Sequence, residues 1–212
     1  LIIPNSVTSI GNEAFKDCKE LASVTISGSL TSIGDQVFRD CEKLSTVTIP
    51  NSVISIGENA FRNCSGLKSV VIPNSVTSIG DWAFFDCSGI TELSISDSVT
   101  FIGEAAFLGC KGLTSISLPN KMTTISENSF NDCTGLTSII IPESVTTIRE
   151  SAFFGCSGLT SVSIPDTTTY IGENAFNGCT GLTSLTLPVE LESVGYQAFS
   201  GCVGVTEIYC KA

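Results

Sequence analysis

The chain has 212 residues, a formal net charge of −11 and no histidine. A surface this acidic repels phosphate backbones, which argues against nucleic acid and anionic membrane surfaces as partners. No stretch approaches the ~20 apolar residues of a membrane span; the longest apolar runs, such as Ile139-Ile140-Ile141, are strand-sized, so no direct membrane insertion is expected.

In chain order, the first element is Leu1-Ile2-Ile3, which aligns with Val24-Thr25-Ile26 and reads as the end of a strand. From there one pattern repeats every 23 residues without insertion or deletion: Phe15, Phe38, Phe61, Phe84, Phe107, Phe130, Phe153, Phe176 and Phe199, each followed three residues later by a cysteine, Cys18 to Cys202. Apolar landmarks at a fixed phase in this range mark a solenoid whose rungs stack and share a core. No linker or charge block breaks the period, so residues 1–212 read as a single domain of nine rungs. The last element, Ile208-Tyr209-Cys210, is the same strand as the first, and neither end shows the polar capping unit a solenoid needs. The chain is therefore expected to be a fragment of a longer array whose exposed strand edges favour end-to-end self-association.

Val53 to Ile72 serves as a specimen rung. Val53 to Ile56 predicts a short extended segment. Phe61 and Cys64 are spaced i,i+3, which predicts a helical turn with the acidic Glu58 at its positive end. Leu67 leads into the strand Val70-Val71-Ile72, which Pro73 ends because proline cannot donate to a ladder. The predicted inward set is Val53, Ile56, Ala60, Phe61, Cys64, Leu67, Val70 and Ile72. At the spacing of paired strands, nine rungs span roughly 45 Å. The fold class is an α/β repeat solenoid with a parallel, concave sheet on one face and helical turns or short strands on the other.

The run Ile72-Pro73-Asn74-Ser75-Val76-Thr77-Ser78-Ile79-Gly80, continuing through Ala83-Phe84 and Cys87 to Ile90, Leu93 and Ile95, resembles the BspA-like, or Treponema-type, leucine-rich repeat along the whole chain. The resemblance implies a right-handed coil and an association with surface proteins of bacteria and some parasitic protists. Several of these are adhesins for host matrix proteins such as fibronectin and fibrinogen. It carries no catalytic motif. Departures from the pattern are Ser27 and Ser96 for proline, Ser126 and Arg149 for glycine, and Thr168 at an inward valine position.

Without histidine the commonest general base and metal ligand is missing, and nine near-identical rungs offer copies rather than one catalytic constellation. The chain is read as no enzyme, with no cofactor and no metal. The nine cysteines lie in a line rather than converging on a zinc. Stacked in one direction, they lack the torsion a disulfide requires. They read as small buried hydrophobes that resist thiol labelling, with Cys210 in the core as well. The acidic ladder Asp35, Glu58, Asp81, Glu104, Glu127, Glu150 and Glu173 reads as favouring the starts of the turns rather than as a calcium site.

Two surfaces break the rule for exposed positions. The outward sheet face is a hydroxyl-rich strip that includes Val71, Glu92, Ser94, Ser117, Ile140 and Tyr209, suited to an extended protein or glycan. On the other side the phase of Lys16, Arg39 and Arg62 becomes Phe85, Leu108 and Phe154; Trp82 stands three residues before Phe85, and Phe101 and Tyr170 replace hydroxyl residues. Grouped apolar side chains mark interaction sites, and aromatics dominate hot spots. The functional expectation is a cell-surface or secreted adhesion module that binds a host extracellular-matrix or cell-surface protein. The alternatives are a cytoplasmic protein–protein scaffold, which would keep so many thiols reduced, and a structural spacer of a surface protein.

Overall fold

A computed structural model of the chain describes residues 1–210. Its elements are short strands, numbered in chain order, which fall into two series. The first comprises β1 (Ile2–Ile3), β2 (Ser23–Ile26), β4 (Thr46–Thr48), β6 (Ser69–Ile72), β8 (Glu92–Ile95), β10 (Ser115–Ser117), β12 (Ser138–Ile140), β14 (Ser161–Ser163), β16 (Ser184–Leu187) and β18 (Glu207–Cys210). The second comprises β3 (Ser32–Ile33), β5 (Ser55–Ile56), β7 (Ser78–Ile79), β9 (Phe101–Ile102), β11 (Thr124–Ile125), β13 (Thr147–Ile148), β15 (Tyr170–Ile171) and β17 (Ser193–Val194). Every pairing is parallel, and each partner lies one repeat further on, as in Ile116 with Ile139 and Ile139 with Val162. The result is a β-solenoid of nine turns.

The alternation in the sequence explains the strands. In β6 the residues Ser69, Val70, Val71 and Ile72 run exposed, buried, exposed, buried, as period-2 side chains on a pleated strand must. All eight residues of the predicted inward set are buried, none more than 2% exposed. Their counterparts in successive rungs join one continuous core. The nine phenylalanines form its spine, with adjacent ring centroids 5.1–5.6 Å apart and planes within 16° of parallel. A separation above the interstrand distance at near-parallel planes is the offset stacking that ring quadrupoles prefer.

The helical turn expected around each phenylalanine is not a helix. None of the described residues is helical. Instead two residues of left-handed conformation flank the ring two positions either side, such as Asn59 (φ 53°) and Asn63 (φ 59°) around Phe61. This geometry turns the backbone N–H groups along the solenoid axis. Asn59, Phe61 and Asn63 donate to the carbonyls of Asp81, Ala83 and Phe85 in the next rung at 2.9, 2.7 and 2.8 Å. A helix would spend those donors within its own segment, whereas stacking gives each copy a partner wherever a further rung follows. The i,i+3 spacing is real but belongs to a turn, closed by Cys64 N–H on the Phe61 carbonyl at 3.1 Å. Asn, Asp and Gly tolerate the left-handed region best, which accounts for the polar residues at these phases; Trp82 (φ 53°) is the bulky exception.

Glycine marks where rungs approach too closely for a side chain. A Cβ on Gly80 would lie 2.8 Å from the Gly57 carbonyl carbon and 2.9 Å from Glu58 N. In the rungs that follow, this phase holds Ser126 and Arg149. At Ser126 the strand ladder opens. In the other rungs from Gly57 onward the residue at this phase donates its N–H to the isoleucine one rung back, as Gly103 does to Ile79 (2.9 Å) and Arg149 to Ile125 (2.9 Å). Ser126 instead donates its hydroxyl to the Ile102 carbonyl at 2.5 Å. The second series accordingly divides into the sheets β3-β5-β7-β9 and β11-β13-β15-β17, while the first series divides between β4 and β6, β8 and β10, and β14 and β16. The turn side stays closed there, with Phe107 N–H on the Ser129 carbonyl at 2.9 Å.

Candidate functional site

The outward sheet strip forms as the spacing predicts. Ser117 pairs with Ile140 and Ile140 with Ser163, Val71 with Ser94, and Thr186 with Tyr209. Val71 and Ile140 are 64% and 67% exposed, and Glu92, Ser94, Ser117 and Tyr209 are exposed with them. Where β8 and β10 part, a depression of about 350 Å³ lies on this face, between Val71, Glu92, Ser94 and Ser115.

On the turn side the structure divides the expected aromatic patch. Trp82, Phe85 and Leu108 are half-buried rather than exposed, because residues at these two phases pair across the turn. Arg39 bonds Gln36, Arg62 bonds Asn59 and Asn131 bonds Asn128 in the polar rungs, and Trp82 and Phe85 occupy the same two places. The Arg62 guanidinium covers the Phe85 ring, 4.5 Å from its centroid, a cation–π contact. Phe154 is exposed and sits two rungs beyond Leu108, apart from Trp82 and Phe85.

Phe101 and Tyr170, in contrast, project from the second strand series and are 52% and 41% exposed. They occupy the same phase of that series on either side of its break: Phe101 ends one sheet on β9, and in the other Thr124 pairs with Thr147 and Thr147 with Tyr170. Between them lie two hollows that share Glu127 and Arg149 in their linings. One, of about 380 Å³, sits at the β9/β11 opening and is lined by Asp81, Phe101, Glu104, Thr124, Glu127 and Arg149. The other, of about 360 Å³, is bounded by Glu127, Arg149, Glu150 and Tyr170. In the sequence Ser126 and Arg149 read only as replaced glycines. Their sharing of adjacent rungs with Phe101 and Tyr170 was the signal that could have located this cleft.

The acidic ladder does not sit at helix starts, since none of the described residues is helical. Asp35 and Asp81 instead accept the backbone N–H of Glu58 and Glu104 in the following rung, at 2.9 and 2.8 Å. Glu104 has its carboxyl raised above the usual range, first by burial and then by repulsion from Glu127 and Asp81.

The cysteine ladder is more than hydrophobic filler. Each cysteine from Cys41 to Cys202 donates its thiol to the phenylalanine carbonyl of the preceding rung at 3.0–3.3 Å. Burial pushes the thiols from Cys41 to Cys179 upward, Cys41 to about 11. The expectation of nine buried thiols is corrected at the two terminal rungs, where Cys18 is exposed and Cys202 half-buried. Cys210 is exposed rather than core, because β18 is covered on one side only, by β16.

The profile of the BspA type Leucine rich repeat region matches residues 1–114 and 106–212, in 6 copies. Among solved structures, a leucine-rich repeat protein from Bacteroides ovatus is similar over 98% of this chain and 71% of its own, at 28% identity and a TM-score of 0.66. The T. pallidum leucine-rich repeat protein is similar over 76% of this chain and 78% of its own, at 28% identity and a TM-score of 0.72. A leucine rich cell surface protein from Faecalibacterium prausnitzii matches over 100% of this chain and 78% of its own, at 26% identity and a TM-score of 0.51. No curated protein sequence matches significantly.

Proposed function

This chain belongs to the BspA-type leucine-rich repeat family, and from that premise we propose that it is a non-enzymatic recognition module displayed at a cell surface or secreted, which binds a host matrix protein of the fibronectin or fibrinogen kind. The observation that carries the reading is the pair of ordered outward arrays. Val71 and Ile140 stand 64% and 67% exposed on a hydroxyl strip, and Phe101 and Tyr170 stand exposed at one phase of the second strand series. Large apolar groups left in water at fixed intervals lower the stability of no core and gain free energy only when a partner covers them. The name of the Faecalibacterium relative supports the surface location.

The test is a titration of the chain on immobilised fibronectin and fibrinogen at physiological salt. It includes the double variants Val71→Ser/Ile140→Ser and Phe101→Ser/Tyr170→Ser, each shown to unfold at the wild-type denaturant midpoint. Saturable binding is expected, with a tenfold or greater loss in at least one variant. Absence of saturable binding to either protein removes the matrix-protein reading.

A further inference from the structure

We propose that the cleft between β9 and β11, extended to Tyr170, is a docking groove for an extended, lysine- or arginine-bearing peptide segment of a protein partner. The proposal rests on the recognition reading above and names the chemistry of the partner at one site.

Three observations converge. The first is the opening itself. At Ser126 the hydroxyl makes the bond to the preceding rung's isoleucine, Ile102, which at Gly103 and Arg149 on either side the backbone N–H makes. No ladder hydrogen bond joins β9 to β11 among the described residues. The cleft is thus cut into an otherwise continuous wall, and its base is held shut by the phenylalanine turns.

The second is its length and its two ends. Phe101 and Tyr170 occupy the same phase three rungs apart, with Thr124 and Thr147 between. At the spacing of paired strands that separation is roughly 15 Å, the reach of about four to five residues of extended chain. Each end presents an exposed aromatic ring, a platform for a guanidinium or ammonium group.

The third is charge. Residues 1–70 carry six basic and seven acidic side chains, whereas residues 71–210 carry three and fourteen. The acidity of the chain is concentrated in the rungs that hold the cleft, and four carboxylates line it, Asp81, Glu104, Glu127 and Glu150. The single cation, Arg149, enters no ion pair among the described residues. Its five fixed donors suit the carbonyl groups of a peptide backbone lying beside it. A cation arriving near Glu104 relieves the repulsion from Glu127 and Asp81 that raises its carboxyl.

The probe is a fluorescein-labelled octapeptide of alternating lysine and serine, followed by anisotropy against the whole chain at low and physiological salt. Companions of the same length replace lysine by glutamine or glutamate, and a neutral oligosaccharide is offered as competitor. The basic peptide is expected to saturate and to weaken with salt. Glu104→Gln/Glu127→Gln and Phe101→Ser/Tyr170→Ser should each weaken it tenfold or more. Ser126→Gly, which lets the ladder close, should weaken it severalfold without loss of folding. Glu20→Gln/Glu42→Gln, the same charge change on the first two rungs, should leave it within twofold. Equal loss in the Glu20/Glu42 variant, no saturable binding, or equal affinity for the glutamine peptide overturns the groove; so does competition by the oligosaccharide without binding of the basic peptide. Fibronectin and fibrinogen titrations run alongside separate the two readings. If the chain binds either protein but not the peptide, only the groove fails; if it binds the peptide but neither protein, the groove stands and the matrix-protein reading fails.

Discussion

The thiol of Cys87 donates to the carbonyl oxygen of Phe61 at 3.0 Å, one rung back, beside the Cys64 backbone N–H that reaches the same oxygen at 3.1 Å. The ladder therefore satisfies a second lone pair of a buried carbonyl with a side chain small enough to stack every 23 residues. Cys87→Ala removes both donor and volume and is expected to cost about 1–2 kcal/mol in urea unfolding. Cys87→Ser keeps a donor and should cost less than half as much. A serine variant as damaged as the alanine one would return the cysteines to the role of plain hydrophobes.

The same burial makes stability depend on alkaline pH. A thiol raised in the folded state keeps its proton where the unfolded chain has released it, so unfolding gains as pH climbs. The contribution is complete below the ordinary thiol value of 9.0 and is lost as pH rises through it toward about 11, where Cys41 itself titrates. Denaturant midpoints measured from pH 7 to 11 should fall above pH 9 and stay level below it. At pH 8 a thiol reagent should label Cys18 and Cys210 quickly, Cys202 more slowly, and the seven thiols between only on unfolding.

Glycine at the close-approach phase of Gly80 relieves a backbone clash that the first rung does not have. A Cβ on Gly80 meets the preceding backbone at 2.8 Å, whereas one on Gly11 has nothing within 4 Å. Gly80→Ala is expected to lose about 1–3 kcal/mol, and Gly11→Ala to change stability by no more than about 0.5 kcal/mol. Thermal melts of the two variants make the comparison within one scaffold.

The opening at Ser126 should be visible in hydrogen exchange. The amides of Thr100 and Thr146 donate to the preceding rung at 2.9 Å, and no such bond protects that of Thr123. Thr123 should exchange much faster than either in the native chain and slow down in Ser126→Gly.

Thr168 is buried at a position that most other rungs fill with valine, and its hydroxyl donates to the Val145 carbonyl at 3.0 Å. Val145 also accepts from Thr167 at 3.1 Å, so removing one hydroxyl leaves no orphaned acceptor. Thr168→Val should be neutral or stabilising by a few tenths of a kcal/mol.

Sequence alone determined the period, the eight inward residues of each rung and the outward register of Val71, Ile140, Phe101 and Tyr170, because hydrophobic phase is a property of neighbours along the chain. It misread the Phe61–Cys64 turn, since i,i+3 spacing is shared by a helix and by a turn with left-handed Asn59 and Asn63. Only the stacked structure distinguishes them, because the deciding bonds run to Asp81, Ala83 and Phe85, 22 residues further on. The same holds for the half-burial of Trp82 under its turn, for the thiol bonds, and for the cleft. Ser126 looked like one replaced glycine, but its effect depends on how near the preceding backbone lies, and that distance is set only when rung packs on rung.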